Sequence, residues 1–254
     1  MLNKDINFKI PENFLEPKNI KEIIKDINYS REQQNDDLKE KNLAFTNGRY
    51  QDRWNYIFNN IEKSFSNEPF KCCRITRSPL WTFVAIYRTD YDLLYILLKK
   101  DRFYDIKKNA KAKEHYSKIL NLPNSISFNT GIYDQISFIP DFKRPLTEYI
   151  FEEFENMLPN IKDKIKGCIN ILFLENQEGV TEISGVMADY NLDIIKSFNW
   201  GEYISADIGN ITDTASILEE DVPSIPLKIR TKGNNKDKSE ELVKNRKIKK
   251  LKPE

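Results

Sequence analysis

The chain has 254 residues, 39% of them apolar and 12% aromatic, with 40 Lys/Arg against 39 Asp/Glu and a single His. That composition suits a globular fold and excludes a wholly disordered chain, and no stretch reaches the roughly 18 apolar residues of a membrane span. The net charge of +1 hides a segregation: 228–254 holds eleven basic and four acidic residues (+7), 71–118 twelve and five (+7), and 145–227 four and sixteen (−12). Separated blocks of like charge predict a basic surface and tail that meet a polyanion, or that fold back on the acidic half.

The first eleven residues read as loose, with no signal-like apolar run. Asn19 with Glu22 resembles a capping box, and Ile20, Ile23, Ile24 and Ile27 follow at helical spacing, so a helix is expected over 19–28. The polar stretch 30–42 reads as a linker or a frayed helix in preference to a solvated helical extension. Tyr50, Trp54, Ile57, Phe58, Ile61 and Phe65 keep a 3.6-residue period and predict a helix over 49–65, ended by Asn67 and Pro69. The runs 70–77 and 80–88 are rich in aromatic and β-branched residues and predict a hairpin. The run 92–98 suits a third strand or a helix start.

Helical spacing returns over 101–121, with Pro123 as its expected stop, and a short hairpin is expected around 126–139. Thr147 is a candidate N-cap for a helix carrying Phe151, Phe154 and Leu158. The apolar run 168–174, the turn 176–179 and the run 180–188 predict a second strand pair; 191–198 reads as a short helix or irregular segment. Local pairing favours an α+β fold of small antiparallel sheets packed with amphipathic helices, followed by a disordered basic tail. The corresponding division is 1–146, an acidic 147–227 packed on it or forming one domain with it, and the tail 228–254.

Three cysteines, with Cys72 and Cys73 adjacent, make neither a disulfide framework nor a metal spacing, which points to a reducing cytoplasm. His115 has no second histidine to join it as a ligand. No Gly-rich phosphate loop, nucleophile elbow or cofactor motif occurs, so no metal, no cofactor and no catalytic residue is assigned.

The basic tail carries the strongest signal. Lys244, Arg246, Lys247, Lys249 and Lys250 can neutralise phosphates on DNA or RNA; the alternatives are a solvated terminus or a tail neutralised by the acidic 200–221. In the first strand pair, Arg74, Arg77 and Arg88 accompany Trp81, Phe83 and Tyr87, a combination that can stack bases and hold phosphates, or simply build a core with charged edges. Alternation puts Trp81, Phe83 and Tyr87 on one face and Thr82, Val84, Ile86 and Arg88 on the other. Eight further Lys/Arg over 99–118 can extend a basic face. Two catalytic arrangements are conceivable: His115 with Arg74, Arg77 and Arg88 as a metal-independent ribonuclease-like site, or Asp134, Asp141 and Lys143 around a divalent ion.

The runs RYQDRWNYIFNNI at 49–61, FKCCRITRSPLWTFVAIY at 70–87 and EHYSKIL at 114–120 resemble an uncharacterised domain-of-unknown-function family of low-GC Gram-positive bacteria and their mobile elements. The resemblance transfers no catalytic residue. It implies a cytoplasmic bacterial protein in a phage, plasmid or toxin–antitoxin-like setting. The resulting expectation is a non-enzymatic interaction or regulatory protein whose partner is a protein or nucleic acid and not a membrane. The alternative is a nuclease-type enzyme.

Overall fold

The computed structural model describes residues 9–42, 47–79, 81–109, 115–130 and 146–204. Its elements run α1 (Pro17–Lys41), α2 (Arg49–Ser64), β1 (Phe70–Ser78), β2 (Trp81–Arg88), β3 (Leu93–Lys99), α3 (Lys100–Lys108), α4 (Tyr116–Ile119), α5 (Leu122–Phe128), α6 (Leu146–Met157), β4 (Gly167–Glu175), β5 (Val180–Ala188) and β6 (Ile194–Asn199). The α+β expectation holds, and the two predicted strand groups merge into one six-stranded sheet of order β1-β2-β3-β4-β5-β6. Each group is an antiparallel meander, and they join edge to edge through the parallel pair β3–β4, with Lys99 opposite Phe173.

The sheet is covered on both faces. α1 and α2 pack together and lie over β2 and β5, while α3 and α5 contact the central strands from the other side and α4 meets α6. This double cover explains why β3 and β4 are almost continuously apolar rather than alternating: side chains of both parities are buried, as from Leu93 to Leu98. Tyr95 reaches α1's approach by donating to the Phe14 carbonyl at 2.8 Å, and Asn170, of opposite parity, meets Asn121 beside α5 at 3.1 Å.

Five local readings change. The polar stretch after Ile27 stays helical to Lys41, because α1 and α2 meet there through hydrogen bonds rather than apolar contact. Asn60 donates to Ser30 Oγ at 3.0 Å and Gln33 at 2.8 Å, Gln34 donates to the Arg49 carbonyl at 2.6 Å, and Tyr56 bonds Asp37. The helix begins at Pro17 after an N-cap at Glu16, not at Asn19, whose side chain instead donates to Glu16. Pro123 opens α5 instead of ending the preceding helix, since a first-turn residue needs no amide donor; the hairpin expected from 126 is helical up to Phe128, and 131–139 lies outside the described residues. The segment after Asn191 ends in the edge strand β6, in which Ile194, Lys196 and Ser197 are exposed. The run from Leu93 is a strand, the third of the first meander. None of the described helices is long and apolar enough to cross a membrane.

Cys72 and Cys73 are neighbours on a strand and therefore point to opposite faces. Cys72 lies 3.5 Å from the Phe65 carbonyl on the α2 side. All three thiols are free, and burial pushes the pKa of each upward, that of Cys72 to about 12.

Candidate functional site

Because β3 and β4 are parallel, their C-terminal ends emerge together, beside the starts of β2 and β5. In open sheets the crevice beyond such carboxyl ends is where ligands collect. Here it collects charge and aromatic rings. On the α1/α2 side, Glu175 at the end of β4 receives three cations. Arg53 of α2 donates from Nη2 to Glu175 at 2.8 Å and to the Ile27 carbonyl at 2.5 Å. Arg31 of α1 lies 2.9 Å from the same carboxylate oxygen, and Lys99 at the end of β3 bonds the other. Burial alone would raise the Glu175 pKa; hydrogen bonds from Arg53, Lys99 and Arg31 outweigh it and bring it down to about 2.

Rings wall this cluster. Lys99 Nζ stands 4.3 Å over Phe173, Trp54 meets Phe173 at 5.9 Å and stacks on Phe58 at 5.1 Å, and Trp81 meets Trp54 edge-on at 6.1 Å. Trp81 lies at the start of β2, next to the register shift between Thr76 and Ser78, and meets α2 rings there. Phe83, two residues on, packs against Tyr116 at 4.4 Å.

On the other side, Arg77 pairs with Glu153 of α6 at 2.7 Å. His115 caps α4: the Ser117 amide donates to Nδ1 at 3.2 Å, and the Ser117 hydroxyl lies 2.9 Å from the same nitrogen. Burial, with Arg102, Arg77 and Lys118 nearby, pushes its pKa down to about 4. A ring that is neutral at pH 7, with Nδ1 engaged at a helix start, presents Nε2 alone to a ligand.

The residues singled out in the sequence do not share one surface. Arg77 approaches His115. Arg74 lies on the α2 side in a two-pronged pair with Glu62 at 2.8 and 2.6 Å. Arg88 is at the far end of β2 and is buried, with Glu16 at 2.8 and 2.5 Å, Asp90 at 2.8 and 3.1 Å, and its guanidinium over the Tyr91 ring. It clamps the start of α1 to the sheet. Asp134, Asp141, Lys143 and the tail residues Lys244, Arg246, Lys247, Lys249 and Lys250 lie outside the described residues. Among the described residues no group of three or more His, Cys, Asp or Glu side chains is placed to hold a metal. A groove of about 390 Å³ also opens between α3 and the β5–β6 edge, with Lys100, Tyr104 and Ser184 in its walls.

The Glu175 cluster escaped sequence reading because its members are spread over positions 31, 53, 99 and 175. The available signals were an arginine beside Trp54 in an apolar helix face and an acid closing the apolar run 168–174.

Among known proteins, no curated protein and no solved structure matches the chain. One family model, described as a family of unknown function, matches residues 7–250, a span that takes in both meanders and most of the basic tail. The chain belongs to this family, DUF5986.

Proposed function

We propose that this protein is a non-enzymatic interaction protein of the bacterial cytoplasm that contacts nucleic acid through its basic tail, in a regulatory or mobile-element setting. The observation that carries this reading is the tail's charge, +7 over residues 228–254, with the family match continuing through Lys250. The fold adds support by subtraction. The basic block 71–118 meets its acidic counterpart inside the body, through Arg77–Glu153, Lys99–Glu175, Lys100–Glu182 and Lys107–Asp193. Those four cations already meet carboxylates of the body, which supports the tail as the contact for a nucleic-acid polymer. Arg74, exposed in a surface pair that solvent weakens, and Arg77 with Trp81 near the open end of the sheet are the body's secondary contacts.

The test is fluorescence anisotropy of labelled DNA and RNA at several salt concentrations. It compares the full chain with a full-length variant in which Lys244, Arg246, Lys247, Lys249 and Lys250 are all glutamine. Each lost phosphate contact removes about 0.9 from the slope of log affinity against log salt on duplex DNA, so the five together remove up to about 4.5. Unchanged affinity and slope overturn the proposal and direct the search to a protein partner.

A further inference from the structure

Among the described residues, charge around Glu175 does not balance. Arg31, Arg53 and Lys99 are three cations on one carboxylate, whose two oxygens are both engaged. Arg53 is more than nine-tenths buried, at 8% exposure. Only its Nη2 has partners; its Nε and Nη1 have none, and neither does Nε of Arg31. Buried guanidinium N–H groups left unpaired are costly, and they concentrate where a ligand completes the set. Ordered water can accept those hydrogen bonds, but it leaves two positive charges uncompensated. An anion answers both demands.

The surroundings sharpen the argument. Phe173 and Trp54 exclude water from one side of the cluster and so strengthen charge interactions within it. Burial lowers the Lys99 pKa, and repulsion from Arg53 and Arg31 adds to the fall against the pull of Glu175. Arg31 and Lys99, whose side chains are 25% and 32% exposed, form the solvent side of the cluster and are the groups able to swing outward. Arg53, fixed through the Ile27 carbonyl, is the floor.

We infer that Arg31, Arg53 and Lys99 form a binding site for a phosphate-type oxyanion, with Glu175 as the internal anion that holds the three cations together until the ligand arrives. A tetrahedral oxyanion offers enough acceptors for several N–H groups supplied from α1, α2 and β3, which chloride does not. The shared chemistry is a phosphate group, whether free or carried by a nucleotide. The site is independent of the basic tail and of any polymer.

The experiment is a thermal-shift and calorimetric titration of the full chain with inorganic phosphate replacing chloride at constant ionic strength. A parallel arm uses a nucleoside 5′-monophosphate, with the unphosphorylated nucleoside as control. The site predicts a saturable rise in Tm with phosphate. Arg31→Gln weakens phosphate affinity by about tenfold or more, since a charged partner is lost. Glu175→Gln tightens it, because the competing carboxylate is gone; a merely structural Glu175 would not move affinity in that direction. If Glu175→Gln does not fold, Lys99→Gln, which alters a partly exposed group, replaces it and weakens binding. The glutamine tail variant binds phosphate like the natural chain, which separates this site from the nucleic-acid reading. Binding of inorganic phosphate alone identifies a free ion as the source. Competition by the monophosphate, but not the nucleoside, identifies a phosphate ester. No phosphate-dependent shift, or the same shift in Arg31→Gln, overturns the inference and leaves the unpaired N–H groups to water.

Discussion

Replacing Asn124 removes a fully buried polar side chain that bonds α5 to two strands. The side chain is fully buried where α5 crosses β4 and β5. Its Nδ2 donates to the Cys168 and Ala188 carbonyls, both at 2.7 Å, and to Asn121 Oδ1 at 3.1 Å; its Oδ1 accepts from the Cys168 amide at 2.8 Å. Asn124→Leu keeps the volume and removes all four bonds. It orphans one backbone N–H, at about 1–3 kcal/mol, and deprives two carbonyls, at about 1 kcal/mol each, for a total of about 3–5 kcal/mol. That is a large part of the roughly 5–15 kcal/mol that holds a domain folded. Urea unfolding followed by circular dichroism at pH 7 measures it. Asn124→Asp is the sharper companion. It retains the acceptor for Cys168 but sets a carboxylate oxygen against two carbonyls, so its folded pKa is raised. Its stability is then fullest below the unfolded value of about 3.9 and falls as pH rises through the folded value. A loss below about 1 kcal/mol for Asn124→Leu, or a pH-independent Asn124→Asp, would refute the view that this amide ties the α5 layer to the sheet.

Two further substitutions test the packing and the α1–α2 interface. A Cβ on Gly185 would stand 2.4 Å from Trp200 Cζ2 and 3.0 Å from Phe14, so Gly185→Ala overpacks the sheet's α1 side and lowers stability by about 1–3 kcal/mol, read as a lower urea midpoint. Asp26 is buried and one of its carboxylate oxygens has no partner; burial, with Glu22 adding, pushes its pKa up to about 6. A raised carboxyl favours folding below its unfolded pKa and opposes it as pH climbs through about 6. Asp26→Asn therefore stabilises the protein by about 1–2 kcal/mol at pH 8 and hardly at all at pH 4, in paired thermal melts.

Elements held by apolar pattern were legible in the chain, and elements held by polar contact were not. Ile57, Phe58 and Ile61 announce α2, and the aromatic and β-branched runs around Ile75 and Phe83 announce the first hairpin, because burial there depends on side chains of known period. The second half of α1 has no such pattern: Ser30, Gln34 and Asp37 are helical because they meet Asn60, the Arg49 carbonyl and Tyr56, partners that only the folded interface supplies. Pro123 shows the same limit at one residue, since a proline ends one helix and opens the next with equal ease. The parallel junction of β3 with β4 joins residues about seventy apart in the chain, beyond the reach of local turn signals. The candidate site inherits that distance, for Arg31, Arg53, Lys99 and Glu175 meet only once the junction has formed.

The charge blocks lead to the same junction. The chain concentrates cations before the β3–β4 crossover and acids after it, and parallel pairing lays those stretches side by side. Four of the resulting ion pairs span them, at Glu153, Glu175, Glu182 and Asp193. Three of these carboxylates meet a single cation of the 71–118 block and include partly exposed pairs of the kind that contribute little alone. Glu175 differs in kind: its side chain is 7% exposed, and it gathers cations from both α1 and α2 as well as β3. A surface pairing scheme needs only one lysine there. The two additional arginines, one of them on the buried face of α2, raise the cost of the fold, and no second carboxylate among the described residues meets them. That excess is hard to assign to stability and is accounted for by a ligand that carries the missing negative charge.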